Sequence, residues 1–186
     1  MFEGKKSKLR LPGIMTSGMN IKKILSMTDH TLLRVGCTQD EIDRLCDEAV
    51  EYHCAAVCVP PCYVSFAKDR IFGRNKVKVD VTVGFPNGYN TPEIKAAEAA
   101  EAKANGADEI DMVINVAYLK ERNFKELQRE ISLVREAGRR LILKVIIETC
   151  LLTDDEKIAA NCLTSLTPGS LRGNAIATPD LQRQFL

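Results

Sequence analysis

Charge of one sign is what this chain has least of. Its 186 residues carry 26 Lys/Arg against 25 Asp/Glu, a formal net charge of +1, and no basic stripe stands alone. That near-cancellation gives nucleic acid or a membrane surface little electrostatic basis as a partner, and neither is expected. No apolar stretch has the length of a membrane span. The N-terminal "MFEGKKSKLRLPGIMTSGMN" is positively charged but lacks the continuous apolar core of a secretory signal; with Glu3, Pro12 and its glycines it reads as a disordered extension. Histidine is scarce too. His30 and His53 show no metal-ligand spacing, so His30 reads as a site-edge or packing residue and His53 as a helix-end residue. The seven cysteines lie mostly in apolar runs or helical patterns, and Cys54, Cys58 and Cys62 form a C-x3-C-x3-C spacing that fits neither zinc nor iron–sulfur ligation. They are expected to be reduced, buried thiols in a cytoplasmic chain, with no metal and no cofactor.

What the chain does have is alternation. "AAVCVP" (55–60), "KVKVDVTVGF" (76–85), "EIDMVINV" (109–116) and "LILKVIIE" (141–148) are short β-branched runs separated by helix-like segments. "SMTDHTLL" (26–33) makes a first strand. Near-continuous apolar strands of this kind belong to a parallel sheet covered on its faces. The helices carry start and stop signals: a capping box at Thr38–Glu41 ahead of Ile42, Leu45, Cys46, Ala49 and Val50; Thr91-Pro92 ahead of Ile94, Ala97 and Ala104, closed by Asn105-Gly106; Phe124, Leu127, Ile131 and Val134; and Thr153–Glu156 ahead of Ile158, Ala159, Cys162 and Leu163. Five βα units without a glycine-rich phosphate fingerprint fit either a doubly wound sheet or part of a (β/α)8 barrel.

Polar residues inside the strands are more informative, because a buried charge is costly unless it is paired or functional. Asp29, Asp80, Asp111 and Lys144 are such residues, each in a different run. The two-residue period puts Glu109, Asp111 and Val113 on one face, and Lys144, Ile146 and Glu148 on one face of the next strand. Two readings stay open on these grounds: a pocket that sets a carboxylate beside an amine, or a buried ion pair that holds adjacent strands in register.

The segments "MTDHTLL", "CAAVCVPPCYV", "VDVTVGFPNGYNT", "NGADEIDMVINV" and "LILKVIIETCLLTDDEKIAA" together resemble the deoxyribose-phosphate aldolase family, in order, over residues 24–163. The resemblance implies a (β/α)8 TIM-barrel fold and a metal-free class I aldolase. Such an enzyme reversibly cleaves 2-deoxy-D-ribose 5-phosphate to acetaldehyde and D-glyceraldehyde 3-phosphate through a lysine Schiff base. It also implies site roles: Asp111 as the proton-shuttling carboxylate, Asp29, Thr31, Cys58 and Lys144 as substrate-binding residues. Lys144 matches a fifth-strand lysine that lines the site, whereas the family's Schiff-base lysine lies on the sixth strand in a "KTSTG"-like segment.

No such segment occurs in this sequence. After Leu163 the family pattern gives way to "TSLTPGSLRGNAIATPDLQRQFL", whose composition reads as irregular. A complete barrel takes about 250 residues, so the expectation is a partial barrel of about five βα units. The expected organisation is an N-terminal extension (1–23), a partial aldolase barrel (24–163) and a non-family tail (164–186). Two functional readings follow: aldolase activity as the family assigns it, or a catalytically inactive shortened form that keeps half the site. A third, with Lys144 as nucleophile, is disfavoured because Asp111 beside it favours the charged ammonium. The expected ligand is a sugar phosphate, and open sheet edges point to homo-oligomerisation or aggregation.

Overall fold

The computed structural model describes residues 20–74 and 76–165 and the strand Ala175–Ile176. The expected extension and tail therefore lie mostly outside the described residues. Where the structure enters the extension, Ile21–Leu25 forms a short helix, α1, whose N-cap Asn20 accepts from the Lys23 amide.

Among the described residues six parallel strands follow in strictly sequential order: β1 (Asp29–Thr31), β2 (Ala56–Val59), β3 (Lys78–Val83), β4 (Glu109–Val113), β5 (Ile142–Ile146) and β6 (Ala175–Ile176). The first falls within "SMTDHTLL" and the next four within the four β-branched runs. The sixth is a two-residue strand from the segment whose composition read as irregular, and it pairs Val145 with Ala175 and Ile146 with Ile176. The connections are α2 (Gln39–Tyr52), α3 (Val64–Ile71), α4 (Pro92–Ala104), α5 (Val116–Lys120), α6 (Phe124–Ala137) and α7 (Asp154–Ser165).

A doubly wound sheet reverses its strand order partway; this one does not. It also curls. Flat strands spaced by about 4.8 Å would leave β1 and β5 roughly 19 Å apart. Lys144 Nζ of β5 instead lies 2.8 Å from Asp29 Oδ2 of β1, so the sheet bends round into a barrel wall. Its outer face supplies Val57, Val59, Val79, Val81, Ile110, Met112, Leu143 and Val145 to a core shared with Ile42 and Leu45 of α2, Ala67 of α3, Ala99 of α4 and Leu127, Ile131 and Val134 of α6. Burying each of the larger side chains contributes about 1.5–3 kcal/mol, which fixes the helices to the outside. The inner face is polar, with Asp80, Thr82, Glu109, Asp111 and Lys144 all buried.

Two helices present faces other than those the sequence predicted. In α4 Ile94 is 52% exposed while Lys95 is completely buried, and in α7 Ile158 is 63% exposed while Ala160 and Thr164 are buried. Apolar periodicity misled at α4 because the charged side chain faces inward, where an acid and two carbonyls receive it. Cys62, expected as a buried strand thiol, is exposed on the 3-10 turn Pro61–Tyr63, as are Cys150 and Cys162 elsewhere; Cys37, Cys46, Cys54 and Cys58 are buried and free. His53 ends α2 in the left-handed conformation, the helix-end role expected of it.

One glycine is required by the close approach of two βα loops. Gly88 has φ +71, and a Cβ there would meet the Ile114 carbonyl oxygen far inside contact distance. Gly88→Ala is expected to destabilise by roughly 2–4 kcal/mol in urea denaturation. A change of less than about 0.5 kcal/mol, the size usual for surface substitutions, would show that this approach relaxes freely.

Candidate active site

The site is built around Lys144. Alternation along β5 sends Leu143 and Val145 outward to the core and Lys144 inward, where it is buried. Register then decides its neighbours. Asp111 stands directly opposite on β4, Glu109 lies two residues earlier on the same face, and the sheet's curvature brings in Asp80 of β3 and Asp29 of β1. The ammonium lies 2.8 Å from Asp29 Oδ2, 2.9 Å from Asp80 Oδ2, 2.9 Å from Asp111 Oδ1 and 3.3 Å from Glu109 Oε2. The Asp29 and Asp80 contacts are hydrogen bonds. Asp111 Oδ1 is an ion-pair contact outside hydrogen-bond geometry.

Burial and charge act on these groups in opposite directions. Burial alone would favour the neutral amine of Lys144, but Asp80, Asp111 and Asp29 override it and hold the ammonium well above the ordinary lysine range. Burial raises Asp80 well above the usual carboxylate range, with Asp111 adding to the rise and Lys144 opposing it. Asp111 is also raised by burial, against the pull of Lys144 and a hydrogen bond with Asp80. Cys58, on β2, is buried beside them, and burial together with Asp80 and Asp111 pushes its thiol well up.

Asp29, Cys58, Asp111 and Lys144 are thus brought together. Thr31 is not among them: it stays at the exposed end of β1, its hydroxyl donating to the Asp29 carbonyl at 3.0 Å. His30, on the outer side of β1, hydrogen-bonds Glu48 of α2 at 2.7 Å, the packing role of the two expected for it. The donor atoms of Cys58, Asp80 and Asp111 lie within 4.8 Å of one another, a spacing that would suit a metal ion. Lys144 already contacts both carboxylates, and the high thiol pKa disfavours the thiolate that ligation needs.

Sequence reasoning singled out Asp80 as a buried strand carboxylate without giving it a role, and it placed Glu109 on the face of Asp111 without drawing it to Lys144. The missing information was the barrel's curvature. A second charged pair was missed altogether. Lys95 of α4 and Glu130 of α6 are both fully buried and in contact; Lys95 Nζ also donates to Gly88 O at 2.5 Å and Val113 O at 2.8 Å, while Glu130 Oε2 accepts from the Asn115 amide at 3.1 Å. This pair ties the loop after β3 to the end of β4. Glu98 of α4 holds the same loop by accepting from the Gly84 amide at 2.6 Å and Asn90 Nδ2 at 3.1 Å. At this end of the strands a cleft of about 420 Å³ opens, lined by Leu33, Pro60, Thr82, Phe85, Pro86 and Glu98 among others.

A singly wound parallel sheet, with acids from its first, third and fourth strands closing on a lysine of the fifth, defines a partial (β/α)8 barrel with a polar interior site. More particularly, the chain belongs to the DeoC/LacD family of aldolases, whose family profile matches residues 23–165. The deoxyribose-phosphate aldolase of Clostridium botulinum (strain Alaska E43) is 46% identical over 141 residues, covering 76% of this chain and 63% of that protein. That of Exiguobacterium sp. (strain AT1b) is 49% identical over 128 residues, covering 69% and 58%. Among solved structures, a protein from Coccidioides immitis assigned as a deoxyribose-phosphate aldolase superposes with a TM-score of 0.78 at 42% identity, covering 81% of this chain and 59% of that one. The tetrameric deoxyribose phosphate aldolase of Aeropyrum pernix superposes with a TM-score of 0.71 at 25% identity, covering 80% and 62%. The chain thus spans roughly three fifths of the length of these relatives.

Proposed function

We propose that this site serves the reversible aldol cleavage of 2-deoxy-D-ribose 5-phosphate, with Asp111 moving protons and Lys144 binding the substrate as a permanent cation. The observation that carries the reading is the contact of Asp111 with a lysine that three neighbouring acids keep charged. Cleaving a C–C bond beside a hydroxyl requires that hydroxyl's proton to leave and the electron pair to be taken up at the other carbon. A lysine iminium supplies the electron sink, and a carboxylate at hydrogen-bond distance supplies the proton relay. Iminium formation needs a neutral amine, which Lys144 is not. Its ammonium is suited instead to donating hydrogen bonds to substrate hydroxyls. With no "KTSTG"-like segment in the sequence, the 186-residue chain by itself is proposed to hold the binding and proton-transfer half of the reaction without turning substrate over.

Two measurements test this. Saturation-transfer NMR with 2-deoxy-D-ribose 5-phosphate should detect binding that weakens about tenfold or more in Lys144→Met, the loss of at least one charge-assisted hydrogen bond; absence of binding to the unaltered chain would remove the substrate assignment. Borohydride reduction with acetaldehyde, followed by peptide mass analysis, should leave Lys144 unmodified. A substrate-dependent adduct there, lost in Lys144→Met, would make Lys144 the nucleophile.

The partners proposed with this reading are the sugar phosphate and further copies of the chain, in the cytoplasm. Among the described residues β1 pairs on one side alone, an edge that can template association, and no described helix is long and apolar enough to cross a membrane.

A further inference from the structure

We propose that Asp80 carries a proton at neutral pH and shares it with Asp111, so that Asp80 is the positioning residue that sets the charge and orientation of the site's proton-moving carboxylate. The inference rests on the proposed aldol chemistry for what the pair is used for, and on charge and geometry for its existence.

Four carboxylates surround one ammonium within 3.3 Å. Glu109 has a second cation, Lys78, at 2.5 Å, and the Asp29 side chain is 28% exposed, so water shares its charge. Asp80 and Asp111 have neither relief. The Asp80 side chain is 0% exposed and that of Asp111 9%, and each meets Lys144 at 2.9 Å. Two enclosed carboxylates this close, with one cation between them, do not both ionise; the pair keeps a proton. The described groups facing the pair are Asp29 of β1, Cys58 of β2, Lys78 and Thr82 of β3, Glu109 of β4 and Lys144 of β5. Lys78 is the one further cation among them, and its ammonium is paired with Glu109 at 2.5 Å.

Which acid holds the proton follows from surroundings. Asp80 Oδ1 accepts from the Val81 amide at 2.9 Å and Oδ2 from Lys144, yet the residue has no access to water. Burial is the largest influence on both acids and raises both; Asp111 adds to the rise at Asp80, whereas Lys144 and the hydrogen bond with Asp80 oppose it at Asp111. A protonated Asp80 donates to Asp111, which favours the ionised form of Asp111 and fixes the direction of its carboxylate. Asp111 is thereby held as an acceptor for a substrate hydroxyl proton.

The linkage has a definite sign. The native chain retains on Asp80 a proton that the unfolded chain, with an ordinary aspartate pKa of about 3.9, releases. Stability from this group is therefore greatest in acid and declines as pH rises from about 4 through the raised native pKa. Asp80→Asn, whose carboxamide also donates to Asp111, lacks this slope. The thermal midpoint of the unaltered chain relative to Asp80→Asn should rise on going from about pH 7 to about pH 5.

The direct test is infrared difference spectroscopy of the unaltered chain against Asp80→Asn at neutral pH, without substrate. The unaltered chain should show the carbonyl stretch of a protonated carboxylic acid, shifted down in heavy water. Asp80→Asn should lack it, and so should Asp111→Asn, in which Asp80 is free to ionise against Lys144. No band, or a band that survives Asp80→Asn, overturns the proposal. Should the variants fail to fold, the carbon-13 carboxyl shift of Asp80 in the unaltered chain decides: the protonated value at neutral pH supports a shared proton, and the ionised value rejects it. Because every readout is taken without substrate, an ionised Asp80 would leave the aldol reading standing, and a failure to bind deoxyribose phosphate would leave the shared proton standing.

Discussion

Lys144→Met is expected to destabilise the chain by about 3–5 kcal/mol, the usual consequence of removing one partner from a buried ion pair. Methionine fills similar volume and matches the apolar stem, so packing changes little and the loss is electrostatic. Asp29, Asp80, Glu109 and Asp111 would then face one another around an empty centre. Lys78 would still serve Glu109, but Asp80 and Asp111 would have no cation. Such carboxylates relieve one another by binding protons, so the deficit should shrink on acidification from about pH 7 to about pH 5. Urea titration at the two pH values measures both effects. A loss below about 1 kcal/mol at neutral pH would mean that the four acids do not depend on Lys144 for their charge.

Lys95→Met should be of similar size, about 3–5 kcal/mol, at a position outside the Lys144 cluster. Glu130 would keep a buried charge with one remaining donor, the Asn115 amide. The carbonyls of Gly88 and Val113 would lose theirs as well. The double variant Lys95→Met/Glu130→Leu removes the stranded charge along with its partner, so it should be less damaged than the sum of its singles, with a coupling energy of about 1–3 kcal/mol. Additive losses would mean that the two side chains act independently. Because Lys95 binds the loop between β3 and α4, hydrogen exchange at residues 84–91 should accelerate in the single variant even where the sheet stays protected.

Much of this architecture was legible in the sequence because each strand announces itself with β-branched residues and each helix with a cap. β4, β5, α2 and α6 lie where their patterns placed them. The inward direction of Asp111 and Lys144 followed from the two-residue period. What could not be read is whatever depends on how the sheet bends: that Asp29, four strands from Lys144, would touch it, or that Asp80 would be enclosed with Asp111. Lys95 and Glu130 were invisible for a different reason. A charged residue in a helix is read as solvated unless its partner is known, and here the partner is 35 residues away. Ile94, beside Lys95, carried the apolar signal and stands exposed. The shortness of β6 kept it below any strand pattern, and its pairing follows from the edge that β5 presents.

Central to this account is a Lys144 that stays charged and so binds rather than attacks. Heteronuclear NMR of the lysine side chains measures this directly, by following the Lys144 carbon-13 ε shift from about pH 7 to about pH 11, a range that spans the ordinary lysine pKa of about 10.4. Lys144 is expected to keep its ammonium shift throughout that range for as long as the chain stays folded. Titration of Lys144 at or below the ordinary value would contradict it, because the surrounding acids, with the proton they share, would then fail to hold the charge and the amine would be free for covalent chemistry.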